Sequence, residues 1–208
     1  MNFAATGSDL YVNTGTRLVT YSLSGSEVSS FALPAHFTKS SAFTPLIDPS
    51  GDIYLSSYYG MKVDKFSPSG TLLWSADPDN DNPTAIYSVG TGSSFQVVVS
   101  LVQDTASSVV LNQTTGAVSG TFPLIVGNGG FVTQESGGDL LYAANGYVET
   151  LSATGSVLAT FGAPHVEGND VHTGSGSQFY YPAQAVQGPN GTVYTADPLH
   201  TMEATSPT

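Results

Sequence analysis

Three aspartates at alternate positions, Asp77, Asp79 and Asp81, form the densest acidic cluster of the chain. Hard cations bind carboxylate oxygens, so the cluster is a candidate site for calcium or another divalent cation. It is not an EF-hand, because Asn82 stands where that loop needs glycine and Ser88 where it needs a bidentate glutamate. The same run, Asp77-Pro-Asp-Asn-Asp-Asn82, also reads as a turn in which Asp, Asn and Pro supply caps and restrict φ. Two tyrosine pairs, Tyr58-Tyr59 and Tyr180-Tyr181, are candidate ligand-binding residues, since exposed rings can stack on a sugar or a peptide. The alternative is that each pair splits, one ring inward and one outward. Serine is so abundant that no Ser/His/Asp coincidence is informative, and no Gly-x-Ser-x-Gly elbow, P-loop or dinucleotide fingerprint occurs. No catalytic residue is assigned. Asn112-Gln-Thr114 and Asn190-Gly-Thr192 match the glycosylation sequon and also read as turns.

The charge balance narrows the partners. Sixteen Asp plus Glu stand against 4 Lys plus Arg, a formal charge of -12. Such a field repels phosphate, so nucleic acid and anionic membrane surfaces are poor partners. All four basic residues, Arg17, Lys39, Lys62 and Lys65, lie in the first third, so ion pairs cannot organise the remainder. No run approaches the 18 or so apolar residues that would span a bilayer, and no membrane insertion is expected. Cysteine is absent, which removes disulfides, thiolate metal sites and cysteine nucleophiles together. Ser and Thr total 50 of 208 residues while lysine is scarce, a surface chemistry that suggests an extracellular or cell-surface domain.

The elements that would position these residues recur. A turn followed by an aromatic-bearing β run appears at Gly7 to Val12, Gly51 to Leu55, Gly92 to Val98, Gly137 to Tyr142 and Asn190 to Tyr194. Taking Tyr11, Tyr54, Val97, Tyr142 and Tyr194 as equivalent gives spacings of 43, 43, 45 and 52. A second turn keeps the same phase at Ser24-Gly25, Ser69-Gly70, Thr115-Gly116 and Thr154-Gly155. Each is flanked by β-branched and aromatic residues, as in a hairpin. Two short β runs precede each hairpin, so every unit holds four antiparallel strands, and no stretch of ten residues has helical periodicity. A four-stranded sheet repeated every 40 to 50 residues cannot bury its faces alone and is the mark of a β-propeller blade. The expected fold is all-β and single-domain, with blades near 1–37, 38–79, 80–125, 126–166 and 167–208. The last lacks the turn into a fourth strand, which makes the chain a candidate piece of a longer protein or of a six-bladed ring.

The last 48 residues resemble an NHL repeat, a β-propeller family, through Phe161-Gly162, Gly174 to Gly176, Phe179, Pro182, Ala183 to Val186, Gly191, Val193-Tyr194 and Asp197. Blade two, Thr44 to Ser57 with Ser67 to Trp74, is similar to PQQ-like repeats as well. PQQ itself is disfavoured by a single Trp and the lack of Lys or Arg after Lys65. Some NHL-like lyases hold a metal through histidines near the axis, so the resemblance makes His165, Glu167, Asp170 and His172 a candidate metal set. Neutral imidazole with carboxylate suits zinc or a similar ion. His36 and His200 are the other histidines, and His200 falls where the repeat often carries one. The function expected is a non-catalytic binding module for a protein, peptide or carbohydrate ligand. The alternatives are a metal-assisted lyase or hydrolase, and a structural subunit that self-associates through its incomplete blade.

Overall fold

The computed structural model describes residues 2–37, 44–101, 107–124, 131–135, 137–144, 147–162, 184–188, 191–196 and 203–205. These residues form antiparallel sheets, each built in chain order. The first holds β1 (Asn2–Ala5), β2 (Asp9–Asn13), β3 (Arg17–Ser22) and β4 (Glu27–Ala32). The second holds β5 (Leu46–Ile47), β6 (Ile53–Ser57), β7 (Lys62–Phe66) and β8 (Leu72–Ala76). The third holds β9 (Pro83–Val89), β10 (Gln96–Leu101), β11 (Ser107–Leu111) and β12 (Val118–Phe122). The fourth holds β13 (Phe131–Gln134), β14 (Leu140–Ala144), β15 (Tyr147–Leu151) and β16 (Val157–Gly162). A fifth, three-stranded sheet is made of β17 (Gln184–Gln187), β18 (Val193–Ala196) and β19 (Glu203–Thr205). This is a β-propeller.

Blade packs on blade through side chains that alternate along each strand, because successive residues of a strand point to opposite faces. Ile53 and Leu55 of β6 join Leu18 and Phe37 in the first junction, while Tyr54 between them joins Val97 and Val99 in the second. Val98 turns the other way, to meet Leu140 and Tyr142 in the third, and Leu141 and Ala143 meet Ala185 and Val193 in the fourth. These faces correct the repeat alignment. Val97 and Tyr142 face the preceding blade, whereas Tyr11 and Tyr54 face the following one. The true equivalents of Tyr11 and Tyr54 are Val98 and Leu141, and the spacing tightens to 43, 44 and 43. A slip of one residue reverses a face, and a tyrosine on either side of a strand looks alike in sequence.

The hairpin turns key the blades together. Gly70 and Gly116, both at positive φ, sit against the outer strand of the blade before. A Cβ on Gly70 would fall 2.4 Å from the Phe31 ring of β4, and one on Gly116 would fall 2.7 Å from Trp74 of β8. Glycine is therefore needed twice over, for the αL turn and for the close approach. Beside this turn every four-stranded blade carries a register shift, at Thr20/Tyr21, Lys65/Phe66, Val110/Leu111 and Thr150/Leu151. Such bulges sharpen the local twist that a propeller blade requires.

Candidate functional site

Each sheet's first strand pairs on one side only: β9 with β10, β13 with β14, β17 with β18. These first strands surround a cavity of about 500 Å³, lined by residues 3–5, 44–46, 84–88, 131–135, 184 and 186. Consecutive residues of one strand line it, which happens when a strand presents its edge and not a face. The walls therefore offer backbone N–H and C=O groups that have no second strand to pair with, a ready row of hydrogen-bonding groups. Pro83, which opens β9, fits such an edge because it has no N–H to leave unpaired.

The lining is apolar in the middle and polar towards its ends. Phe3, Ala5 and Val186 are exposed in the lining, Leu46, Ile86 and Val132 pack into the blade junctions, and Ser88, Thr91, Gln134 and Glu135 lie where β9 and β13 finish. Ser88 Oγ donates to Gln134 Oε1 over 3.2 Å, which bridges the third and fourth blades, and Thr133 Oγ1 donates to the Ala185 carbonyl over 2.6 Å, bridging fourth and fifth. Among the described residues, Gln134 Nε2 and Glu135 Oε1 are shielded from solvent without a hydrogen-bond partner. Among the described residues Glu135 is the one carboxylate of the lining, and no described Lys, Arg or His lines the cavity. Burial, reinforced by Asp139, raises its pKa above the usual glutamate value. Tyr87 borders the cavity through its strand while its ring packs into the junction with Phe122, where burial raises the pKa of its hydroxyl.

The basic side chains described are committed elsewhere. Lys65 lies 2.8 Å from Asp52 and 3.6 Å from Asp48, and donates to the Gln113 carbonyl of the third blade over 3.2 Å. Its ammonium also stands 5.0 Å from the centre of the Tyr54 ring. Lys62 pairs with Asp77 at 3.3 Å and Arg17 with Glu27 at 3.9 Å. A second shielded acid, Asp64 of β7, is fully buried and accepts from Ser75 Oγ at 2.6 Å, with its other oxygen 3.0 Å from His36 Nε2. His36 comes from the single 3₁₀ turn Ala35–Phe37 that follows the first blade, so this contact ties the first blade to the second.

The structure separates the carboxylates of the acidic run. Asp77 is bound to Lys62, Asp81 is buried with Oδ1 accepting from the Asn82 amide at 2.6 Å, and Asp79 sits at φ 55 in a tight turn. Among the described residues no three of His, Asp and Glu gather as a cation site. Tyr58 and Tyr59 occupy the turn between β6 and β7 with centroids 5.1 Å apart at 84°. Tyr58 is half-buried and Tyr59 is 68% exposed, so they present one open ring and no shared flat face. His165, Glu167, Asp170, His172, Tyr180 and Tyr181 lie outside the described residues, as does His200. Glu135 and Gln134 escaped the sequence argument; their one signal was an acid and an amide closing the first strand of a blade, just before the Gly137-Gly138-Asp139 turn.

Comparison with solved structures gives the same architecture. A streptogramin B lyase superposes with a TM-score of 0.62 at 14% identity, over 100% of this chain and 68% of that one. A protein assigned to the gluconolactonases gives 0.65 at 18%, over 94% and 70%. A WD40 β-propeller domain gives 0.66 at 10%, over 97% and 62%. Identity this low shows the propeller fold alone, and the same fold carries a lyase, a lactonase and a WD40 domain. No family model matches the sequence, and no curated protein matches it.

Proposed function

We propose that the protein is an NHL-like propeller that acts as a binding module, displayed outside the cell, with its ligand held in the axial cavity. The observation that carries this is the cavity itself: about 500 Å³ of mostly apolar space with a few polar groups at its ends. That is the size and character of a small-molecule site. Among the described residues the lining supplies hydrogen-bonding groups without a nucleophile and base held together, which favours binding over chemistry. Display outside the cell rests on the Ser/Thr-rich, Lys-poor composition.

The test is a fragment library screened by ligand-observed NMR against the wild type and Ala5→Trp. Ala5 lines the cavity and is exposed, so an indole there fills space without entering a packed junction. Hits that weaken at least about tenfold in the variant, a change of roughly 1.4 kcal/mol, support the cavity as the site. Hits that bind both proteins equally contradict it.

A further inference from the structure

Resting on the axial cavity as the ligand site, we propose that its ligand is a largely apolar molecule bearing a protonated amine, with the ammonium group against Glu135. Four observations converge on that class. The exposed apolar lining of Phe3, Ala5 and Val186 calls for a hydrocarbon or aromatic body. Glu135 Oε1 is shielded and has no partner among the described residues, and a shielded carboxylate oxygen left unpaired is costly. An ammonium group removes that cost with a charge-assisted hydrogen bond. Among the described residues no Lys, Arg or His lines the cavity to receive an anion. Arg17, Lys62 and Lys65 are held in ion pairs away from it, and the net charge of -12 draws cations and repels anions.

The neighbouring Gln134 Nε2 adds a second requirement. It is a shielded donor without a partner, while its Oε1 is already used by Ser88. A hydroxyl or carbonyl close to the amine would satisfy it, so an amino alcohol or an amino amide fits better than a bare amine.

Three probes of one shape separate the possibilities: phenethylamine, 2-phenylethanol and phenylacetate, titrated at millimolar concentration by ligand-observed NMR. They are run against wild type, Glu135→Gln and Ala5→Trp, each first shown to be folded by thermal unfolding. The amine should bind wild type roughly ten- to a hundredfold more tightly than the alcohol, the range of one charge-assisted hydrogen bond. Glu135→Gln should erase that preference and leave the alcohol's affinity unchanged, and Ala5→Trp should abolish binding of both. If the alcohol or the acid binds as well as the amine, or the preference survives Glu135→Gln, the amine class is overturned while the cavity stands. If the amine binds Ala5→Trp undiminished, it is collecting on the acidic surface and the proposal is overturned. If none of the three binds wild type, the cavity itself is not a ligand site.

Discussion

Asp64 is a fully buried carboxylate and Glu135 a half-buried one with a shielded Oε1, and they differ in what meets their oxygens. Asp64 is closed in by Ser75 and His36, one on each oxygen, between the first two blades. Glu135 keeps an oxygen that no described group meets, at the end of a strand bordering the axial cavity. Burial raises the pKa of each above its ordinary value, although Ser75 and His36 oppose the rise at Asp64. A shielded acid whose partners are all internal stabilises the fold. One with an oxygen that no described group meets, bordering the cavity, is the acid we assign to a ligand.

Breaking the closed pair should have the largest effect. In His36→Ala the fully buried Asp64 carboxylate loses its facing group, and stability should fall by about 3 kcal/mol near neutral pH in chemical denaturation. The sign with pH follows from the direction of the shift. Without His36 the folded-state pKa of Asp64 rises further above its unfolded value, so the penalty falls on the ionised form, above that pKa. Acidification should therefore return much of the loss, and the double variant His36→Ala/Asp64→Asn should be more stable at neutral pH than His36→Ala alone. A double variant no better than the single would show that the carboxylate is not what His36 protects.

Lys65→Met comes next. It leaves Asp48 and Asp52 without their cation and the Gln113 carbonyl without one of its two donors, the other being Trp74 Nε1 at 3.0 Å. Asp48 keeps other partners, among them the Tyr54 hydroxyl and the Ser50 and Asp52 amides, so a loss of about 2 kcal/mol is expected in the same assay.

The smallest stability effect belongs to the open acid. Glu135→Gln should raise unfolding stability slightly at neutral pH, by up to about 1 kcal/mol, because it removes the charge on a shielded oxygen that no described group meets. Its effect should lie in the pH profile. The folded-state pKa of Glu135 is raised, so its ionisation costs stability as pH climbs from the usual glutamate value through the folded one. Glu135→Gln should flatten that part of the curve. Affinity for phenethylamine should rise across the same window in wild type, as the carboxylate forms, and stay level in the variant. A stability loss in Glu135→Gln as large as that in His36→Ala would erase the distinction between the two acids.

What sequence reveals follows the range of the interaction involved. The hairpins were legible because Ser24-Gly25, Ser69-Gly70, Thr115-Gly116 and Thr154-Gly155 carry their own turn chemistry, and each glycine adopts positive φ. The facing of Val97 and Tyr142 was not legible, since period-two alternation fixes which residues share a face but not which neighbour that face meets. Asp77, Asp79 and Asp81 are close in sequence, which does not reveal that Lys62 of β7 meets Asp77 Oδ2 or that the Asn82 amide donates to Asp81 Oδ1. Glu135 looked ordinary, because its meaning depends on strands more than a hundred residues apart that meet around one axis.

The most direct test of the axial site is to locate bound phenethylamine by amide chemical-shift mapping on the wild-type protein. The account predicts shifts concentrated on the inner strands, at residues 3–5, 84–88 and 131–135, and largest near Glu135. Shifts centred on the Tyr58-Tyr59 turn or on the outer strands β4, β8, β12 and β16 would contradict it.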